Sequence, residues 1–281
     1  MRVVTKVTLL LVLAALLNGC TALRLAYDNA DTYIRWRAGN YLDVHGDMAD
    51  DLDQRIEAFL GWHRAKALPE YAKLSNEAAG RLGDGLSRED LVWGYDLTRV
   101  HAARSLKEAA QRIAPLLDKL SEAQVQHMEA RFREDNRKFA RENLRGSEKE
   151  RRKRRAERVA ERLEDWVGKL SEAQVKRVQE FSERAPLAAE MRDQDRKRLQ
   201  GEFLAMVRAR EAQKRLPEMA EHWDRGRDPA FVQANRAWRD ELFALLLDID
   251  RMLSPEQRAR AQANFRRYSE DFAVLASRAA Q

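Results

Sequence analysis

The chain has 281 residues, and 35% of them are charged, against about 25% in an average globular protein. Its formal net charge is +6, and only 12 glycines and 6 prolines interrupt it. A hydrophobic fraction of 44% excludes disorder throughout the chain, and one cysteine excludes a disulfide scaffold. A polytopic membrane protein is excluded because the sequence has a single long apolar run.

Residues 1–19 have the pattern of a secretory signal peptide. Arg2 and Lys6 precede an apolar run from Val7 to Leu17, which is too short to span a bilayer comfortably. The next residues are Asn-Gly-Cys, and Cys20 is the only cysteine of the chain. We therefore predict a signal peptide over 1–19 and a single all-helical domain over 20–281. An ordinary signal peptide followed by a coincidental cysteine is the alternative.

The Leu-Asn-Gly-Cys sequence that ends at Cys20 resembles the lipobox of bacterial lipoproteins. The resemblance implies cleavage before Cys20 and acylation of this residue with fatty acids such as palmitate, which would attach the protein to a membrane. Thr21 follows, where an Asp commonly retains a Gram-negative lipoprotein at the inner membrane. We therefore expect a periplasmic protein anchored to the outer membrane, with the inner membrane as the alternative.

The balance of charge argues against a nucleic-acid partner. The signal peptide contains two basic residues and no acidic ones, so the mature chain has 50 basic against 46 acidic residues. Such a mixed balance does not indicate a binder of nucleic acid, and an exported protein would meet little of it.

Several short motifs follow Cys20 in the first quarter of the chain: Cys20 to Leu25, Tyr27-Asp28-Asn29-Ala30-Asp31, Tyr41-Leu42-Asp43, Trp62-His63-Arg64 and Leu68-Pro69-Glu70-Tyr71. With these motifs the chain resembles an uncharacterised family of Gram-negative lipoproteins that is known as a domain of unknown function. The resemblance runs along most of the mature chain, and it implies no activity.

The Trp62-His63-Arg64 motif permits two interpretations. Helical spacing places Trp62 and Arg64 on different faces, and we expect Trp62 in the core. His63 is expected to form a polar lock with a neighbouring helix, and a ligand site is the alternative. The candidate partners of the lock are Asp28, Asn29 and Asp31.

Beyond Asp47 the sequence has helical periodicity almost throughout, with charged residues opposite the apolar stripes. The clearest stripes are Val125, Met128, Phe132 and Phe139; Val159, Leu163, Trp166 and Leu170; and Phe231, Trp238, Leu242, Leu245, Ile249 and Met252. No segment has sustained strand alternation. The sequence therefore predicts an all-α fold, an elongated bundle of long amphipathic helices.

Capping signals divide this region into helices. A serine at the N-cap accepts a hydrogen bond from the N3 amide, and an acid or Gln at N3 reaches back to the N-cap amide. This pattern predicts helix starts at Ser87, Ser121, Ser147, Ser171 and Ser254, and Asp228-Pro229 predicts another. Breaks or kinks are expected at the remaining prolines: Pro69, Pro115, Pro186 and Pro217.

One of these capping signals is repeated. Leu-Ser-Glu-Ala-Gln-Val occurs at 120–125 and again at 170–175, with looser copies at 253–257 and 86–91. The copies diverge outside the motif, which favours one elongated domain over a regular solenoid. The Leu-Ser-x-x-Gln copies also resemble the Leu-Thr-x-x-Gln motif of Spy/CpxP-type periplasmic chaperones, which are small helical proteins that cradle unfolded clients. The alternative is a helix start and nothing more.

The densest charge run, Arg151-Arg152-Lys153-Arg154-Arg155, is a candidate binding surface. It would contact anionic lipid or lipopolysaccharide headgroups, or acidic clients. Acidic residues flank the run, so a solvated helix face with i,i+4 ion pairs is the alternative.

The sequence contains no pattern that indicates catalysis or a cofactor. The five histidines, His45, His63, His101, His127 and His222, lack the spacing of the common metal motifs. Nucleophile-elbow and phosphate-loop motifs are absent too. We therefore expect no enzyme activity, no metal and no cofactor. Two functions remain open: a membrane-anchored module that binds unfolded polypeptides or envelope components, and an adaptor lipoprotein that docks one specific envelope partner.

Overall fold

The computed structural model describes residues 22–278, and every regular element within that range is helical. The predicted signal peptide and Cys20 lie outside the described residues. The α-helices are α1 Ala22–Asp28, α2 Ala30–Leu42, α3 Asp47–Trp62, α4 Leu68–Gly83, α5 Arg88–Leu117, α6 Glu122–Asn143, α7 Glu148–Val167, α8 Glu172–Arg184, α9 Ala189–Arg208, α10 Ala212–Glu221, α11 Pro229–Arg251 and α12 Pro255–Ser277. The elongated all-α arrangement confirms the predicted fold class.

All six predicted helix starts are confirmed. Five begin with a complete capping box, in which the serine hydroxyl accepts from the N3 amide and the N3 side chain accepts from the N-cap amide: Ser87, Ser121, Ser147, Ser171 and Ser254. Asp228 caps α11 by accepting hydrogen bonds from the amides of Ala230 and Phe231, at 2.8 and 3.3 Å. Local side-chain chemistry therefore determines where these helices begin.

Most of the buried apolar residues fall into two clusters. The first joins α2, α3 and α6 to the C-terminal parts of α5 and α9 and to α10, with Leu52, Leu116 and Met128 at 2% exposure or less. The second joins the ends of α4 and α7 to α8, α11 and α12 around Phe181 and Leu245, which are fully buried. Each amphipathic helix thus buries its stripe against several others, as the hydrophobic pattern predicts.

Helices α4 and α12 approach closely because small residues line their contact. Ala79 of α4 is 1% exposed and Ala261 of α12 is 4% exposed. Side chains of α12 donate hydrogen bonds to backbone carbonyls of α4: Ser269 to Ala72 at 2.8 Å, Gln262 to Ala79 at 3.1 Å and Arg258 to Leu82 at 2.6 Å. The C-terminal helix is therefore fixed to α4 by polar contacts as well as by packing.

A π-helical turn, His63–Ala67, joins α3 to α4. Pro69 has no N–H to donate to the carbonyl four residues before it, and its ring would clash there, so the regular ladder is interrupted at this point. The predicted break at Pro69 is thus a change of helix type. By contrast, α5 and α10 continue past Pro115 and Pro217.

Candidate functional site

An apolar groove lies alongside α2, with its other walls on α5, α6, α9 and α10. Its volume is about 370 Å³, within the range of about 300–1,000 Å³ that ligand pockets occupy. The walls include Ile34 and Ala38 of α2, Phe132 of α6, Phe203 of α9 and Leu216 of α10. The groove presents hydrocarbon and aromatic rings to whatever enters it.

Aromatic side chains form one wall of the groove. The ring centroids of Tyr41 and Phe132 are 5.7 Å apart, and those of Phe132 and Phe203 are 6.2 Å apart. Both pairs are inclined rather than stacked face to face, which is the favourable arrangement for aromatic rings. Because three helices supply these rings, the wall exists only in the folded protein.

A polar trio, Arg37, Tyr41 and Asp135, marks the rim of the groove. The Tyr41 hydroxyl donates a hydrogen bond to the Asp135 carboxylate. Arg37 donates to the same hydroxyl at 3.1 Å, and its guanidinium lies 5.0 Å from the centre of the Tyr41 ring. Burial and the hydrogen bond to Asp135 raise the pKa of Tyr41, so the phenol keeps its proton at neutral pH. The groove thus has a fixed polar edge beside an apolar interior.

His63 lies at the start of the π-helical turn, inside a second aromatic cluster. The Tyr27 hydroxyl and His63 Nδ1 are hydrogen-bonded at 2.9 Å. The His63 ring centroid is 5.7 Å from that of Phe59 and 5.5 Å from that of Tyr71. Burial lowers the pKa of His63 and raises the pKa of Tyr27 to about 12, so both groups are neutral near pH 7. The hydrogen bond therefore joins an uncharged imidazole to an uncharged phenol.

The polar lock predicted for His63 is confirmed, but its expected partners were wrong. Tyr27 is the partner. Asp28 instead forms an ion pair with Arg278 at 2.7 Å, and Asn29 donates to the Leu25 carbonyl at 2.8 Å. Trp62 is half-buried rather than in the core, and the guanidinium of Arg104 lies 5.6 Å from the centre of its ring. His63 lines neither the groove nor the second cavity described below.

Two arginines of the basic run Arg151–Arg155 contact the C-terminal end of α8 through their guanidinium groups. Arg155 donates to the carbonyls of Ser182 at 2.6 Å, Ala185 at 2.7 Å and Pro186 at 2.7 Å. Arg152 donates to the carbonyls of Ser182 at 2.8 Å and Ala185 at 3.0 Å. Helix C-termini leave carbonyls without partners, and these two arginines satisfy them.

The rest of the run is divided between further contacts and solvent. Arg151 forms an ion pair with Glu190, and Arg154 donates to the Arg145 carbonyl at 2.5 Å. Lys153 has a side chain that is 78% exposed. The expectation of a solvated face therefore holds for Lys153 but not for Arg152 or Arg155. Burial lowers the pKa of Arg155 to about 10, which leaves it charged at neutral pH.

A second cavity, of about 360 Å³, lies between α9, α10 and the turn that follows α10. Charged side chains line it, and they pair with one another: Arg198 with Glu202 at 2.8 Å and Arg225 with Glu218 at 2.5 Å. Residues 22–278 contain no group of three or more His, Cys, Asp or Glu side chains that could hold a metal ion. Within the same range, every helix is too short or too polar to cross a bilayer.

Comparison with known proteins identifies the family. Residues 40–225 match a family of unknown function, DUF6279. The match covers more than half of the chain, so the protein belongs to this family. It includes the Tyr41-Leu42-Asp43 and Trp62-His63-Arg64 motifs, while Tyr27 to Asp31 precede it. No curated protein and no solved structure matches the chain significantly.

The groove is not visible in the sequence. Met128 and Phe132 belong to a predicted apolar stripe, and Tyr41 belongs to a motif of the family resemblance, but neither pattern indicates a cavity. The described residues place Arg151–Arg155 on α7, which is not among the helices that line the groove. The basic run and the groove are therefore separate features.

Proposed function

We propose that this protein is a lipid-anchored binding protein of the bacterial envelope. It is attached through Cys20 to the periplasmic face of the outer membrane, and it holds an apolar polypeptide segment in the groove beside α2. The observation that carries the proposal is the groove itself, whose interior is apolar and which has, among residues 22–278, one charged lining residue, Arg37. The lipobox-like sequence around Cys20 supports the location.

The chemistry of the wall favours a helical segment over an extended one. An extended peptide would bury backbone N–H and C=O groups that need hydrogen-bond partners, and the apolar wall offers none. A helix satisfies its own backbone and presents apolar side chains at i, i+3, i+4 and i+7. The partner is therefore the apolar face of an amphipathic helix, with its polar face turned to water.

A fluorescent amphipathic peptide with leucines at i, i+3, i+4 and i+7 tests the groove. The probe should bind the wild-type protein, as measured by fluorescence anisotropy. Ala38→Phe places a ring in the groove and should abolish binding. Ala263→Phe adds the same ring on the exposed face of α12 and is the matched control, which should bind as the wild type does. Equal binding by the two variants, or none by the wild type, would contradict the proposal.

The size of the groove favours the adaptor as a second candidate. A volume of about 370 Å³ suits one short segment rather than a long unfolded chain. The Leu-Ser-x-x-Gln motifs, which resemble those of Spy/CpxP-type chaperones, act here as helix caps. A chaperone should slow the aggregation of several unrelated unfolded proteins without ATP, whereas an adaptor should leave them unchanged and bind one partner stoichiometrically.

A further inference from the structure

The first two helices carry an uncharged stripe on their outer side. Its three large side chains are Leu25, Tyr33 and Trp36, which are 62%, 61% and 59% exposed. Tyr33 and Trp36 are three positions apart on α2 and share a face, with their ring centroids 6.0 Å apart, while Leu25 lies on α1. The uncharged residues Ala22, Ala26, Asn29 and Thr32 of the same segment are exposed too. We call this surface the outer stripe.

Several charged residues of the same helices are held in ion pairs with other parts of the protein. Arg24 forms an ion pair with the buried Asp271 at 2.6 Å, and Arg35 pairs with Asp53 on α3 at 2.6 Å. Asp28 pairs with Arg278, at the end of α12. Helix α2 turns Ile34 and Ala38 inward, as a surface helix of a soluble protein does, but its outward face carries Tyr33 and Trp36 where charged residues are usual. The arrangement indicates that the outer stripe faces something other than bulk water.

The outer stripe begins close to the predicted lipid attachment. Cys20 is two residues before Ala22, where α1 begins, and two residues of chain reach at most about 7 Å. An acyl group on Cys20 would therefore hold α1 near the headgroups. Trp and Tyr are the side chains enriched at the membrane–water interface, because each has an apolar body and a polar end.

We propose that the outer stripe lies in the headgroup region of the membrane, so that α1 and α2 run along its surface rather than standing away from it. This inference rests on the proposed anchor at Cys20. Because the stripe is uncharged, the contact should depend on burial of apolar surface and should be insensitive to salt. Tyr33 also borders the groove, so the groove would open beside the membrane surface.

Cys20 is the only cysteine, so the mature chain can be coupled through its thiol to a maleimide lipid in phosphatidylcholine vesicles. This places the attachment at residue 20 whether or not cells acylate it. The vesicles would carry a nitroxide-labelled lipid that quenches tryptophan fluorescence at headgroup depth. The wild type should be quenched, and Trp36→Phe should lose most of that quenching. Trp238→Phe is the matched control, because Trp238 is also exposed, at 37%, but lies on α11.

The outcomes separate the stripe from the anchor. The inference is supported if Trp238→Phe retains the quenching and Trp36→Phe loses it. The quenching of the wild type should also be unchanged in 1 M salt. Equal quenching of the wild type and Trp36→Phe would overturn it. If cells do not acylate the chain, the proposed anchor at Cys20 is wrong. The quenching experiment would still test the outer stripe, because the chain is coupled to the vesicles chemically. Circular dichroism should show the same helicity in all three proteins, because both tryptophans are exposed.

Discussion

Gln174 and Gln257 each donate a hydrogen bond to the backbone carbonyl two residues before the N-cap of the other's helix. Gln174 Nε2 donates to the Met252 carbonyl at 3.2 Å, and Gln257 Nε2 donates to the Lys169 carbonyl at 2.9 Å. The two side-chain amides are also hydrogen-bonded to each other, at 2.9 and 3.2 Å. Each Oε1 accepts from its own N-cap serine as well, at 2.9 and 3.1 Å. The repeated motif thus joins α8 to α12 besides capping them.

This relationship predicts that Gln174→Glu is destabilising. The carboxylate could still accept from the N-cap amide, but it cannot donate to Met252, and Gln174 is fully buried. An unsatisfied buried group costs about 1–3 kcal/mol, and more when it is charged. The loss should appear in denaturant unfolding. Gln124→Glu is the control, because Gln124 caps α6 in the same way but is only half-buried. Equal losses would contradict the account.

The capping boxes predict a smaller effect at their serines. Ser121→Ala and Ser171→Ala each remove the hydroxyl that accepts from the N3 amide, and each should cost about 1 kcal/mol. In a domain of this size that corresponds to a fall in Tm of about 2–4 °C. Thermal unfolding followed by circular dichroism measures it. Serine variants that unfold at the wild-type temperature would show that the caps contribute little.

Arg155 and Lys153 should differ although they are two positions apart in one basic run. Arg155→Gln removes donors from three carbonyls at the end of α8, two of which also accept from Arg152, and should cost about 1–3 kcal/mol. Lys153→Gln changes an exposed side chain and should stay within about 0.5 kcal/mol of the wild type. Equilibrium unfolding compares the two variants. A stable Arg155→Gln protein would mean that Arg152 and solvent satisfy those carbonyls equally well.

His63 should make stability depend on pH. Burial lowers its pKa from 6.5 in the folded state, so the unfolded chain binds the proton more tightly. Stability is therefore full above pH 6.5 and decreases as the pH falls below that value, until the folded-state pKa is passed. The fall in Tm from pH 7 to pH values below 6.5 should therefore be smaller in His63→Gln than in the wild type. His45→Gln is the control, since the side chain of His45 is 84% exposed, and it should behave as the wild type does.

Cys20→Ala tests the anchor directly. The substitution removes the thiol that the lipobox resemblance assigns to acylation, so precursor or unlipidated protein should accumulate. Metabolic labelling with a fatty-acid analogue, followed by membrane fractionation, measures both effects. Unchanged labelling of the variant would refute acylation at this residue.

The helix starts could be predicted because their chemistry is local. A capping box involves two residues three positions apart, so Ser171 and Gln174 are visible in the sequence itself. The start of α10 was not predictable in this way. The backbone amides of Ala212 and Gln213 donate to Asp118, at 2.7 and 3.1 Å, and Asp118 lies 94 positions before Ala212. A cap supplied by another part of the fold leaves no local pattern.

The groove could not be predicted for a related reason. Its walls come from five helices, between Tyr33 and Leu216, and each apolar wall residue looks like part of an ordinary buried stripe. Whether an apolar side chain such as Phe132 meets another side chain or faces a cavity depends on how the helices are placed. The periodicity that predicts a helix contains no information on that placement.

The ion pairs between α1 and the end of the chain restrict the order of events during synthesis. Asp271 lies 247 positions after Arg24, and Arg278 lies 250 positions after Asp28. Because a polypeptide is made from its N-terminus, these two ion pairs cannot form until the end of α12 has emerged. Until then α1 can contact only earlier parts of the chain, such as His63 through Tyr27. The two ion pairs of α1 are therefore among the last contacts of the fold that synthesis makes available.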